Sequence, residues 1–159
     1  MNTTSNNIES LLAREAIREL KHRYFRALDT RDFDLLATCL TADIVIDYGP
    51  AGSYANRDNF MQMVCDFART DTQRGLHFGL NCEIELLNST EAIVQWVTHF
   101  VAFDPIVNRT LEQSGVYRDL CRKQAEHWLI ATSRYELWFH KSNSMGQSTP
   151  LFPSSHHRS

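Results

Sequence analysis

Between Leu76 and Phe139, four long strand-like stretches follow one another with little between them. Leu76 to Leu87, Glu91 to Phe103, Leu111 to Lys123 and His127 to Phe139 are separated by Asn88-Ser89-Thr90, by a loop after Asp104-Pro105, and by Gln124-Ala125-Glu126. Strands joined this closely pair antiparallel, and a sheet of such long strands twists and curls. The first stretch has a period of two. Leu76, Phe78, Leu80, Cys82, Ile84 and Leu86 share one side, and His77, Gly79, Asn81, Glu83 and Glu85 share the other. An unbroken strand therefore leaves His77 on the polar side. Turning it inward requires a bulge, expected at Gly79, because an isolated glycine in a strand often marks one.

Ahead of the strands the period changes to that of helices. From Ile8, the residues Leu11, Leu12, Ile17, Leu20, Tyr24 and Leu28 recur at steps of three and four, forming one apolar stripe. Asp32 caps a second helix carrying Phe33, Leu36 and Leu40. Ile44 to Tyr48 alternates as a strand, the Gly49 to Gly52 turn follows, and Ser53 to Ala55 pairs back. Asn56 or Asp58 caps a third helix with Phe60, Val64 and Phe67 in its stripe. Helices first and strands after specify an α+β fold. The expected form is a cone-shaped α+β barrel, three N-terminal helices packed on a curved, mostly antiparallel sheet. It would span residues 8–141, with 1–7 a disordered tail and the Ser- and Pro-rich 142–159 a flexible one.

A chain of 159 residues is one domain, and a net charge of −3 with a pI near 6.1 argues against nucleic-acid binding. No apolar run approaches the roughly 20 residues that span a bilayer, and Met1 to Asn7 lacks a signal-peptide core, so a cytoplasmic protein without membrane contact is expected. Cys39, Cys65, Cys82 and Cys121 are widely spaced and read as small buried hydrophobes. There is no metal-ligand spacing, no phosphate-binding glycine loop and no nucleophile elbow, and no cofactor is expected.

Since Asp32 takes the cap, Asp29 is left without a structural duty. An aspartate that orients a histidine makes a general base, and His77 is the partner expected at the bottom of an apolar pocket. His99 lies in an apolar row of the second long strand. Arg134 sits amid Trp128, Ile130 and Trp138 and wants a carboxylate or an anionic ligand.

Ala16 to Asp34, Ile46-Asp47-Tyr48 and Leu76 to Asn81 together resemble the SnoaL-like branch of the nuclear transport factor 2-like superfamily, over Ile8 to Phe139. The resemblance is to its scytalone dehydratase, bile-acid 7α-dehydratase and hexachlorocyclohexane dehydrochlorinase members. It implies a cofactor-independent lyase acting on a small hydrophobic ring substrate, polyketide- or steroid-like, in a homo-oligomer, trimer or dimer. Asp29 and His77 take the dyad positions, with Tyr24, Tyr48 and His99 as further catalytic candidates and Arg134, Trp96 and Asn81 as substrate contacts. The same base suits an isomerase or cyclase. The fold also hosts ligand carriers and the small subunits of ring-hydroxylating dioxygenases.

Overall fold

The computed structural model describes residues 3–144. Helix α1 spans Thr3–Thr30, α2 Phe33–Thr38 and α3 Arg57–Thr70. The strands are β1 Leu40–Asp47, β2 Ser53–Tyr54, β3 Arg74–Leu86, β4 Glu91–Asp104, β5 Arg109–Gln124 and β6 His127–Ser144. They form one sheet in the order β2-β1-β6-β5-β4-β3, antiparallel except for the β1–β6 pair. This is the expected three-helix cone on a curled sheet. Helix α1 begins ahead of the expected Ile8, and residues 142–144 continue β6 instead of opening a tail. The remainder of the expected C-terminal tail lies outside the described residues.

The apolar stripe of α1 enters the core through Ile17, Leu20, Tyr24 and Ala27, against Val94, Trp96 and Tyr117 of the sheet. Its N-terminal Ile8, Leu11 and Leu12 stay exposed. The helix ends by a paired closure in which the Arg31 amide donates to Leu28 O (3.2 Å) and the Asp32 amide to Ala27 O (2.9 Å). Arg31 takes the left-handed position at φ 56°, which costs an L-residue about 1 kcal/mol. Its guanidinium holds the turn in place by donating to the Ala68, Asp71 and Gln73 carbonyls and to the Asp71 carboxylate. Asp32 then caps α2 by accepting from the Leu35 amide, and Asn56 caps α3 by accepting from that of Asn59.

The register of β3 overturns one expectation. The β3–β4 ladder slips between Leu80 and Glu83, where Asn81 has φ 48°, and runs undisturbed through Gly79. The bulge is therefore at Asn81. Before it, Gly75, His77 and Gly79 face the helices while Leu76, Phe78 and Leu80 are exposed; after it, Cys82, Ile84 and Leu86 turn inward. His77 thus faces inward by the plain alternation of its own segment. The residues expected to share a face are divided by a bulge two positions beyond the glycine.

Candidate functional site

Ending α1 at Thr30 leaves Asp29 in the last turn, facing the start of β3. Its carboxylate accepts from the His77 amide at 3.2 and 3.1 Å through its two oxygens, and its Oδ1 lies 2.5 Å from His77 Nδ1. The backbone bonds fix the carboxylate against the strand. The ring bond assigns the tautomer: Nδ1–H donates to Asp29, so Nε2 carries the lone pair. Phe25 stacks parallel to the imidazole, 5.5 Å between centroids and 2° between planes, and Phe100 lies 4.5 Å away at 39°. Held by two aromatic neighbours and a carboxylate, the ring has little freedom other than at its Nε2 edge.

His77 is in the wall of a cavity of about 360 Å³ bounded by α1, α3 and the inner faces of β3, β4 and β5. Phe33, Val64, Phe67, Phe100 and Leu111 form its apolar part, and besides the dyad Arg31, Asp71, Gln73, Arg74 and Gln113 bring polar groups to its lining. A volume of this order holds a bicyclic molecule. A larger groove of about 690 Å³ under the N-terminal half of α1 is lined by no histidine, and its Lys123 is paired with Glu126. Among the described residues no three His, Cys, Asp or Glu side chains gather as a metal ion would require.

The other expected residues divide into two groups. Tyr24 and Tyr48 come together, with hydroxyls 2.8 Å apart, Tyr24 within the core and Tyr48 partly buried against it, both outside the cavity lining. They end a polar chain that sequence reasoning missed. Lys21 Nζ donates to Asp119 Oδ2 at 2.8 Å, Ser133 Oγ donates to Asp119 Oδ1 at 2.7 Å, and Tyr48 OH lies 3.3 Å from Ser133 Oγ. The direction of the chain follows from its acceptor end. A carboxylate paired with an ammonium only accepts, so Ser133 spends its proton on Asp119 and receives one from Tyr48, and Tyr48 receives from Tyr24. Both phenolic protons point inward. Burial raises the pKa of Tyr24 and of Tyr48 well above that of a free phenol, so both stay neutral.

His99, Arg134, Asn81 and Trp96 are not brought to the dyad. His77 is paired with Phe100 and Phe78 with His99, so His99 is on the outer face, 2.8 Å from Ser114 Oγ and 3.4 Å from Glu112. Arg134 also points outward, 70% exposed, and pairs with Asp47 across the parallel β1–β6 contact. The carboxylate partner it called for is supplied by Asp47 of this chain. Asn81 is exposed and serves the bulge. Trp96 is buried beside Gly79, edge-on to His22 and outside the cavity lining, with its indole N–H unpaired among the described residues. Two signals for the missed chain stood in the sequence: Lys21 falls in the apolar stripe of α1, and Asp119 alternates in step with Tyr117 and Cys121.

With this geometry in place, comparison with known proteins identifies the fold. A candidate scytalone dehydratase from Novosphingobium aromaticivorans superposes with a TM-score of 0.79 at 19% identity, over 88% of this chain and 92% of its own. A hexachlorocyclohexane dehydrochlorinase from Novosphingobium barchaimii gives 0.80 at 15% identity, over 91% and 99%. The beta subunit of the benzoate 1,2-dioxygenase from Burkholderia mallei gives 0.66 at 20% identity, over 76% and 87%. Residues 9–134 match the SnoaL-like domain, and the chain belongs to that family, within the nuclear transport factor 2-like superfamily.

Proposed function

We propose that this protein is a cofactor-independent lyase of the dehydratase type, acting on a hydrophobic hydroxy ketone with Asp29 and His77 as its base. The observation that carries this reading is the 2.5 Å contact of Asp29 with His77 Nδ1, which leaves Nε2 as the base of a residue in the wall of a partly apolar cavity. His77 Nε2 takes the proton from the carbon beside the substrate carbonyl, and Asp29 stabilises the imidazolium formed. The electron pair of the broken C–H bond moves into an enolate and then forms the new C=C bond. The β-hydroxyl leaves as water by taking the proton that His77 carries, which returns the imidazole to its neutral form. Two of the structurally similar proteins are named for elimination reactions, which supports this reaction class.

A suitable test substrate is 3-hydroxy-1-tetralone, a bicyclic β-hydroxy ketone, because its dehydration and tautomerisation give fluorescent 1-naphthol. His77→Ala and Asp29→Asn, both folded, should lower kcat by about 10² to 10⁴, the usual worth of a positioned base. Full turnover in either variant rejects the dyad. A product that keeps the substrate mass would instead assign isomerase or cyclase chemistry to the same base. Leu76, Phe78 and Leu80, exposed side by side on the outer face, support assembly into a homo-oligomer, trimer or dimer, which light scattering measures. Among the described residues no helix is long and apolar enough to cross a membrane.

A further inference from the structure

Five ionisable side chains line the cavity that holds His77, and four of them are paired with one another. Asp29 holds the imidazole of His77, and Asp71 holds the guanidinium of Arg31 at 2.9 Å. Arg74 is left over. Among the described residues it has no carboxylate partner, and its side chain makes a single hydrogen bond, from Nη1 to the Gln73 carbonyl at 3.0 Å.

That bond decides where the charge sits. Arg74 opens β3 at an outward position of the alternation, since Gly75 and His77 point in. By turning back onto the carbonyl of the residue before it, the side chain keeps its guanidinium at the cavity rim. The same carbonyl accepts from Arg31 Nη2, also at 3.0 Å. Two guanidiniums therefore meet at one oxygen, and Asp71 neutralises only one of them. Like charges that share an acceptor repel each other, and an anion arriving at the rim relieves the repulsion.

We propose that the substrate is a keto acid: a ring hydroxy ketone whose carboxylate, at the end remote from the reacting carbon, is bound by Arg74 at the rim. This rests on the reading of Asp29 and His77 as the base. Arg74 stands three residues before His77 on β3, about 10 Å along the strand, so a ring system reacting at His77 presents its far edge to Arg74. A guanidinium has five N–H donors, and the Gln73 carbonyl takes one. The others form a fork that fits the two oxygens of a carboxylate. A phosphate dianion brings about twice the charge, more than one unpaired cation balances. A neutral bicyclic ring can enter either way round, whereas a charge at one end selects the orientation that puts the ketone at His77.

The test compares 1-tetralone-6-carboxylate, its methyl ester and 1-tetralone itself as ligands of the full chain, by isothermal titration calorimetry. None has a leaving group, so binding is read without turnover. In wild type the acid should bind about 5-fold tighter than the ester, as an ion pair at an exposed rim allows, and the difference should shrink in high salt. Arg74→Gln should bind acid and ester alike. Arg74→Lys should keep part of the preference, because the charge remains and the fork is lost. An acid that binds wild type no tighter than its ester, a preference that survives in Arg74→Gln, or wild type that binds none of the three ketones overturns the assignment. A preference that depends on Arg74, together with unimpaired turnover of 3-hydroxy-1-tetralone by His77→Ala, would instead reject the base and keep the carboxylate site.

Discussion

The Lys21 ammonium and the Asp119 carboxylate meet 2.8 Å apart beneath α1, with side chains only 2% and 1% exposed. Such a pair is costly to desolvate, and most of its value appears only when one partner is lost. Here the stranded charge would also break the chain through Ser133 to Tyr48 and Tyr24. Lys21→Met or Asp119→Asn should each destabilise the fold by about 3 to 5 kcal/mol in urea denaturation. The double replacement Lys21→Met with Asp119→Leu should recover a large part of that loss. Single variants as stable as wild type would show that the pair is not held out of water.

The same cluster predicts behaviour in alkali. Burial raises the pKa of Tyr24, Tyr48 and Tyr117 above the phenol value of about 10 that each has in the unfolded chain. A raised native pKa contributes stability that is complete below about pH 10 and is lost as pH climbs from there towards the native value. Spectrophotometric titration at 295 nm should therefore show these three phenols ionising only as the chain unfolds, and Tyr48→Phe should make the fold less sensitive to alkali. Reversible ionisation of all five tyrosines near pH 10 in the native protein would contradict the packing described.

Asn81 shows how far the sequence could be read. Helix stripes, caps and strand lengths were legible because each rests on local spacing: Asp32 caps as expected, Asn56 is the one of the two expected candidates that caps α3, and the long strands lie near their expected places. Asp29 and His77 were legible as a pair through resemblance. What failed were single-residue choices of face. Gly79 was the natural bulge, yet its missing Cβ makes room for Phe25 and Trp96, while Asn81, a residue tolerant of the left-handed region, carries the slip. The same one-residue ambiguity separates Arg134, which points outward to Asp47, from Tyr135, which points in. Only the completed ladder decides such cases.

The bulge can be tested directly. At φ 48° Asn81→Gly should be neutral or slightly stabilising, whereas Asn81→Val places a β-branched side chain in the left-handed region at about 1 to 2 kcal/mol. Because the bulge holds His77 and Ile84 on the same inner face, Asn81→Val should also lower turnover by more than its stability loss explains. Urea midpoints and kcat measured on the same preparations separate the two effects. Valine tolerated in both would place the slip elsewhere.

Gly79 tests the support behind the base. A Cβ there would stand 2.9 Å from the Phe25 ring and 3.1 Å from that of Trp96. Phe25 cannot retreat freely, since it stacks on His77 at 5.5 Å and lies 5.8 Å from both Tyr24 and Tyr117. Gly79→Ala should therefore cost about 1 to 3 kcal/mol by overpacking and push the Phe25 ring against the imidazole. Replacing Phe25 by leucine in the same chain should relieve the crowding, so the double variant should be more stable than Gly79→Ala alone. The double variant should still turn over more slowly than wild type, because leucine cannot stack on the His77 face. Gly79→Ala with wild-type stability and wild-type kcat would mean that the ring behind His77 is free to move and does not set the direction of Nε2.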